Sequence, residues 1–324
     1  MHKTLEIVIC TYNRAADLDR CLERLGSQQH ANGDWSVTVV NNNCTDRTPQ
    51  VVAEHVASGR VPHLAQVVEH VQGLTPARRR GALESTADWV AFVDDDCLVA
   101  PDWVAEAFNA VDRHPAAAGF GGRVSPCWGR QPPQHLARHG WLFAEQNLGE
   151  VECAVESLVG AGIVLNRSAL AECGWIAEPY LADRTGLGHA SGGDVEICYR
   201  ITATGRPLYY SPLMRIDHVV ASKRQELWSL LGLAHGLGAG AELVNLMGAQ
   251  DPEAWPAEAH RVLADEVRRH WVSARYVATR QYAWRDWLIR AAFLFGRRTQ
   301  NRALARDRVT RHRLGGAWGR PTVA

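Results

Sequence analysis

Residues 5–10, Leu-Glu-Ile-Val-Ile-Cys, are a short run rich in apolar and β-branched side chains. Beyond the turn-like Thr11-Tyr12-Asn13 the apolar period changes, with Leu18, Cys21, Leu22 and Leu25 at i, i+3, i+4 and i+7. This pair predicts a strand feeding an amphipathic helix. The unit recurs: residues 35–40 read as a strand ending at Asn41-Asn42-Asn43, and residues 48–56 as a helix with Val51, Val52, His55 and Val56 on one face. A third unit has a strand over 65–71, a helix over 76–85 and a fully apolar strand over 89–93 that runs into Asp94-Asp95-Asp96. Strands that are apolar at successive positions are covered on both faces, and their alternation with helices predicts an α/β fold around a mostly parallel sheet.

After about residue 115 the pattern is less regular, and Pro126, Pro132, Pro133, Gly160 and Gly162 predict mixed strands and site-bearing loops. Beyond residue 220 the chain reads as helical. The longest uncharged stretch, residues 227–241, has 15 residues, four glycines and His235. That is short of the roughly 20 apolar residues that cross a bilayer, so no spanning helix is expected. The first residues lead directly into a strand, so no leader is expected either. Eight cysteines without a C-x-x-C pair read as reduced, mostly buried thiols.

Composition narrows the function classes. Hydrophobic residues at 46% and charged residues at 22% exclude a disordered chain, and 35 basic against 35 acidic residues remove any global polyanion-binding signature. The expectation is a cytoplasmic protein without a nucleic-acid partner. Charge is nevertheless regional, with eleven arginines against Asp286 and Asp307 between residues 280 and 320. There, Trp287-Leu288-Ile289 and residues 291–295 lie among Arg285, Arg290, Arg297 and Arg298. This pattern fits either a peripheral helix at the inner face of a membrane or a basic helix docked on the rest of the protein.

The strongest chemical signal is Asp94-Asp95-Asp96 after a buried strand, because open parallel sheets bind ligands beyond the carboxyl ends of their strands. Adjacent carboxylates repel unless a cation offsets them, and hard divalent ions are held by carboxylates together with phosphate oxygens. A solvated turn ahead of a helix beginning near Asp102 is the alternative.

Several further segments align with this one. Val8-Ile9-Cys10-Thr11-Tyr12-Asn13-Arg14, Val39-Val40-Asn41-Asn42-Asn43-Cys44-Thr45-Asp46, Ala77-Arg78-Arg79-Arg80-Gly81, Phe92-Val93-Asp94-Asp95-Asp96, Gly192-Gly193-Asp194-Val195-Glu196 and Ile216-Asp217-His218 occur in that order. Together they resemble a family 2 glycosyltransferase of the GT-A fold over residues 5–224, with a nucleotide-binding Rossmann-like half to about 115 and an acceptor-binding half from about 116. Residues 225–324 then form a helical extension. The resemblance implies a metal-dependent, inverting transfer from a nucleotide sugar to a hydroxyl acceptor that is a glycan, lipid-linked or small molecule.

It also implies roles. Asp96 and His218 would hold Mn²⁺ or Mg²⁺, with Asp94 beside the metal and Asp95 able to exchange roles with Asp96. Thr11, Tyr12, Asn13, Arg14, Asn41, Asn42, Arg78, Asp94 and Asp95 would contact the donor, Tyr12 by stacking on its base. Trp175, Gly193 and Glu196 would meet the acceptor, with Trp141 a second stacking candidate, and Lys223 and Arg224 would neutralise the departing diphosphate. Asp194 would be the general base, because the attacking hydroxyl must lose a proton; its alternative role is a helix cap. Two positions depart from the family: Gly193 stands where Glu is usual, and Asn41 and Asn42 stand where an acidic residue is usual. A sugar-nucleotide nucleotidyltransferase is a rival, but the first turn lacks the glycine-rich loop it would need. A non-catalytic sugar-binding relative is a third reading, opposed by the combination of Asp94, Asp96 and Asp194.

Overall fold

The computed structural model describes residues 3–128, 132, 134–181, 183–184, 191–277 and 283–315. The chain divides into two compact units: one comprises residues 1–129, 143–179 and 193–220, and the other residues 130–142, 180–192 and 221–324. The second unit therefore takes in two short segments from within the stretch that the sequence reading placed in one domain.

In the first unit the elements run β1 (Thr4–Thr11), α1 (Ala15–Leu25), β2 (Asp34–Asn41), α2 (Thr48–Ser58), β3 (Leu64–Val68), α3 (Leu74–Glu84), β4 (Trp89–Asp94), β5 (Cys97–Val99), α4 (Trp103–Arg113) and β6 (Gly119–Cys127). The second unit contributes α5 (Gln134–Ala137), after which the first resumes with β7 (Cys153–Val155), β8 (Ile163–Asn166), α6 (Arg167–Glu172), α7 (Gly193–Ala203) and β9 (Leu208–Val219). Strand order is β3-β2-β1-β4-β8-β6-β9-β5, with β7 also pairing β9. The four strands anticipated from the sequence are parallel to one another, while β8 runs antiparallel to β4 and to β6.

The local reasons are those of the sequence pattern. Ile7 and Ile9 face one core cluster while Val8 faces another, so β1 is apolar without interruption. The predicted stripe Leu18, Cys21, Leu22 and Leu25 is the buried face of α1. In α2 only Thr48, Val51 and Val52 are buried and Val56 is exposed. Residues 211–212, which look like a turn in the sequence, instead belong to β9, where the register with β6 shifts between Gly122 and Val124. All eight cysteines are free, with Cys21, Cys97 and Cys198 buried.

Gly81 shows how closely α3 lies on the sheet. A Cβ there would stand 2.2 Å from Cγ1 of Val8. Gly81→Ala is therefore expected to destabilise the protein by about 1–3 kcal/mol, as overpacking of a filled core does. A urea unfolding midpoint equal to that of the parent would contradict this contact.

The second unit continues with α8 (Leu227–Met247), α9 (Trp255–Val277), α10 (Ala283–Arg306) and α11 (Arg308–Leu314). At 21 residues, α8 is longer than the 15-residue stretch suggested and is long and apolar enough to cross a membrane by length and composition. Its packing is that of a core helix. Glu242 is buried and paired at 2.6 Å with Arg297 of α10, and a Cβ on Gly238 would meet the Phe293 carbonyl oxygen at 2.0 Å. The apolar stretch of α10 turns Ile289 and Leu294 inward, and Arg297 also reaches Glu266 of α9 at 2.9 Å. The docked-helix alternative therefore describes this part of α10. Phe295 of the same stretch is 60% exposed.

Candidate active site

Register brings the strand ends together. Thr11 of β1 lies opposite Asn41 of β2, and Cys10 lies opposite Asp94 of β4. The carboxyl ends of these strands form one edge, where a parallel sheet binds its ligands. From the other side, β5 pairs antiparallel with β9, so that Cys97 faces His218 and the Val219 N–H donates to the Asp96 carbonyl at 2.8 Å. A histidine far along the chain thereby joins the acidic turn.

The three carboxylates have different surroundings. Asp94, half-buried, accepts from Arg78 Nη2 at 3.1 Å. Asp95 accepts from the Thr11 hydroxyl at 2.7 Å and from Arg14 Nη1 at 3.0 Å. Asp96 accepts from Arg14 Nη1 at 2.8 Å through Oδ2, and its Oδ1 lies 3.2 Å from His218 Nε2. Burial pushes the Asp95 carboxyl up to about 7, against the pull of Arg14 and the Thr11 hydroxyl, with Asp96 and Asp94 adding to the rise.

His218 is held by its other nitrogen, since Nδ1 donates to the Phe143 carbonyl at 2.7 Å. A carbonyl only accepts, so a proton belongs on Nδ1, and in the neutral imidazole the Nε2 lone pair is then turned to Asp96. Two such donors side by side call for a cation. Ligands about 2.1 Å from an octahedral ion stand about 3.0 Å apart along an edge, close to the spacing here. The Asp96 oxygen and the His218 nitrogen thus have the spacing of two ligands of one hard divalent ion. The Cys97 sulfur lies with Asp94 and Asp96, their donor atoms all within 4.8 Å. However, burial raises the Cys97 thiol well above its usual value, which leaves it a poor ligand for such an ion.

Asp194 stands in the first turn of α7, partly exposed. It is the second residue of α7 and so does not occupy the N-cap position. Its Oδ1 accepts from the Val195 N–H at 2.9 Å and its Oδ2 from the Gly160 N–H at 2.8 Å. Gly160 in turn offers its carbonyl to Arg78 Nη2 at 3.5 Å, and Arg78 holds Asp94. A chain of contacts thus runs from Asp194 through Gly160 and Arg78 to the acidic turn. Gly160 was not singled out as a site residue by sequence reasoning. Only its place in Gly160-Ala161-Gly162 hinted that backbone approaches closely there, and a Cβ at residue 160 would meet Arg78 at 2.7 Å and Asp194 at 3.1 Å.

The candidate donor-binding residues divide in two. Tyr12 is 44% exposed at the end of β1 and its ring is open to stacking. Asn13 takes a left-handed φ of 54° and accepts the Thr45 N–H at 2.7 Å, so it shapes the loop. Asn42 donates to the carbonyls of Glu69 and Val71 and accepts from Gln72 and Gly73. Its donors and acceptor are engaged in loop structure, contrary to the expectation that it contacts the donor. Asn41 differs: the Cys44 N–H fixes its Oδ1 at 2.8 Å, which orients the amide nitrogen as the group left to donate.

Two acceptor candidates are also corrected. Trp175 is 1% exposed, its ring 6.1 Å from that of Phe92 in the core, so it cannot stack on a sugar. Glu196 is fully buried and paired with Arg200 at 3.1 Å, so it serves the fold and not an acceptor. Gly193 opens α7 beside Asp194. Lys223 and Arg224 occupy a single helical turn at Ser222–Gln225 in the second unit, which also contains Trp141, exposed and edge-on to Phe293.

The sequence model of Glycosyl transferase family 2 matches residues 6–174. Among curated relatives, the glucosyl-dolichyl phosphate glucuronosyltransferase of Haloferax volcanii is 27% identical over 55% of this chain and 58% of its own length. The validoxylamine A glucosyltransferase of Streptomyces hygroscopicus subsp. jinggangensis is 30% identical over 64% of this chain and 53% of its own. The chain thus spans little more than half of the length of either. Among solved structures, the mannosyltransferase PcManGT of Pyrobaculum calidifontis, in complex with GDP-Man and Mn²⁺, superposes with a TM-score of 0.62 at 17% identity, covering 93% of this chain and 87% of that one. GalNAc-T7 with UDP, GalNAc and Mn²⁺ gives 0.53 at 16% identity, over 68% of this chain and 43% of that one. These structural likenesses support the shared α/β fold.

Proposed function

Because the chain belongs to glycosyltransferase family 2, we propose that it transfers a sugar, with inversion, from a nucleotide-sugar donor to a hydroxyl acceptor in a reaction that needs a divalent ion. The observation that carries this reading is the linkage of Asp194 to the Asp94–Asp96 turn through Gly160 and Arg78. A carboxylate held at a fixed offset from the acidic turn is what an inverting displacement requires. The acceptor oxygen attacks the anomeric carbon from the face opposite the diphosphate, its proton passes to an Asp194 oxygen, and the breaking C–O bond leaves its electron pair on the diphosphate. A divalent ion held by Asp96 and His218, with Asp94 adjacent, would supply charge neutralisation for that leaving group.

Arg14 and Arg78 keep the carboxylates oriented, and Arg14 is exposed enough to meet a phosphate as well. In this reading the ring of Tyr12 and the Asn41 amide nitrogen take the base. A family member with Asp at that position offers only an acceptor, whereas Asn41 offers a donor, so a base presenting an acceptor there is favoured. The names of the relatives record glucosyl-dolichyl phosphate and validoxylamine A as what they act on. Lipid-linked and small-molecule acceptors both fall within this reading, as does a cytoplasmic location.

The test is thermal unfolding with a series of nucleoside diphosphates, each with and without Mn²⁺. A ligand at a hundred times its dissociation constant stabilises by about 2.7 kcal/mol, so one diphosphate should raise the midpoint strongly and only with the ion. If no nucleoside diphosphate shifts the midpoint under either condition, the donor assignment fails.

A further inference from the structure

Helix α9 buries Leu263 and His270, and the His270 ring stacks on Trp287 of α10 with centroids 4.6 Å apart. By the 3.6-residue period, its opposite side and flank between residues 261 and 275 carry Arg261, Val262, Asp265, Arg268, Arg269, Trp271, Val272 and Arg275. All eight are exposed, with Trp271 at 62%, Val272 at 52% and Val262 at 49%. Between residues 261 and 275 the one acid of this face is Asp265, engaged by Arg268 at 3.1 Å, and exposed Glu258 lies one turn before Arg261. Arg261, Arg269 and Arg275 have no carboxylate partner among the described residues. Trp271 is braced edge-on against Trp287, centroids 5.0 Å apart, so its ring is presented in a set orientation.

We propose that this side of α9 rests on an anionic phospholipid surface. Trp271 and Val272 enter the headgroup layer, and Arg261, Arg269 and Arg275 meet lipid phosphates. Apart from Val262, which lines a cleft with Trp255 and Arg297, the face is a single exposed helix, which suits a broad and deformable partner. An indole set among arginines is the composition that lies in the plane of a bilayer interface. Charge complementarity selects anionic lipid. The inference stands independently of the transferase reading. It also places the contact on a different segment from the arginine-rich stretch of residues 280–320, whose Ile289 and Leu294 are buried.

The experiment is co-sedimentation of the full chain with vesicles of phosphatidylcholine, alone or mixed with phosphatidylglycerol. Binding is expected to the mixed vesicles only and to fade as salt rises, because exposed charges are screened within about 8 Å at physiological ionic strength. The double variant Trp271→Ser with Val272→Ser should lose at least about tenfold in partitioning, and Arg269→Gln and Arg275→Gln about fivefold each. Trp228→Ser, at an 82% exposed tryptophan on α8, should leave binding unchanged. Unfolding midpoints equal to that of the parent would confirm that these surface changes preserve the fold. The proposal is overturned if the parent ignores mixed vesicles, if the double variant binds as the parent does, or if only soluble polyanions such as heparin are bound. The Mn²⁺-dependent response to nucleoside diphosphates should be the same in all these variants, which separates failure here from failure of the transferase reading.

Discussion

Asp194→Asn should lower turnover by roughly 10² to 10⁴-fold while donor and Mn²⁺ affinity stay near those of the parent, because general-base catalysis typically contributes that factor. The substitution preserves shape. An amide oxygen can still accept the Gly160 N–H that Asp194 Oδ2 accepts at 2.8 Å, so the loop and its link to Arg78 persist. What is lost is the ability to take a proton from the acceptor hydroxyl, together with the bond from the Val195 N–H, which an amide nitrogen cannot accept. The nearest acidic rival, Glu196, gives a different readout. Its carboxylate is buried against Arg200, and breaking a buried ion pair typically costs about 3–5 kcal/mol, so Glu196→Gln should appear as lost stability and not as a selective fall in kcat. Normal turnover by Asp194→Asn would remove the inverting mechanism as formulated.

Asp96→Ala should abolish both activity and the Mn²⁺-dependent part of nucleotide binding, measured by thermal shift and by titration of Mn²⁺ itself. The ground is the 3.2 Å approach of Asp96 Oδ1 to His218 Nε2, with the imidazole fixed from behind by the Phe143 carbonyl. His218→Ala should weaken Mn²⁺ binding in the same assay. Asp95→Asn should not, since Asp95 is turned to the Thr11 hydroxyl and Arg14. Retention of Mn²⁺-dependent nucleotide binding by Asp96→Ala would transfer the metal to other ligands. Loss in Asp95→Asn with retention in Asp96→Ala would exchange the roles of the two residues.

The sequence by itself determined the alternation of strands and helices, the direction of the first four strands, the buried stripe Leu18, Cys21, Leu22 and Leu25, and the position of Asp94-Asp95-Asp96 at a strand end. These are local properties. Side-chain period depends only on backbone geometry, so residues a few positions apart report their own environment. The resemblance of short motifs carried this reading to the family and to a set of candidate residues.

Only the tertiary structure separated those residues. Asn41 and Asn42 are adjacent and chemically identical, yet the carbonyls of Glu69 and Val71 engage Asn42 and leave the amide nitrogen of Asn41 to donate. Trp175 and Glu196 lie near the site in sequence but turn into the core, where packing on Phe92 and pairing with Arg200 hold them. The approach of His218 to Asp96 depends on the antiparallel register of β5 with β9, and the role of Gly160 on a backbone N–H that no side-chain pattern encodes. Helix α8 runs on past the 15-residue uncharged stretch to include Glu242, and the ion pair between Glu242 and Arg297 ties it to α10. Hydrogen bonds and burial between distant segments are properties of pairs, and a pattern read along one strand or helix contains only one member of each.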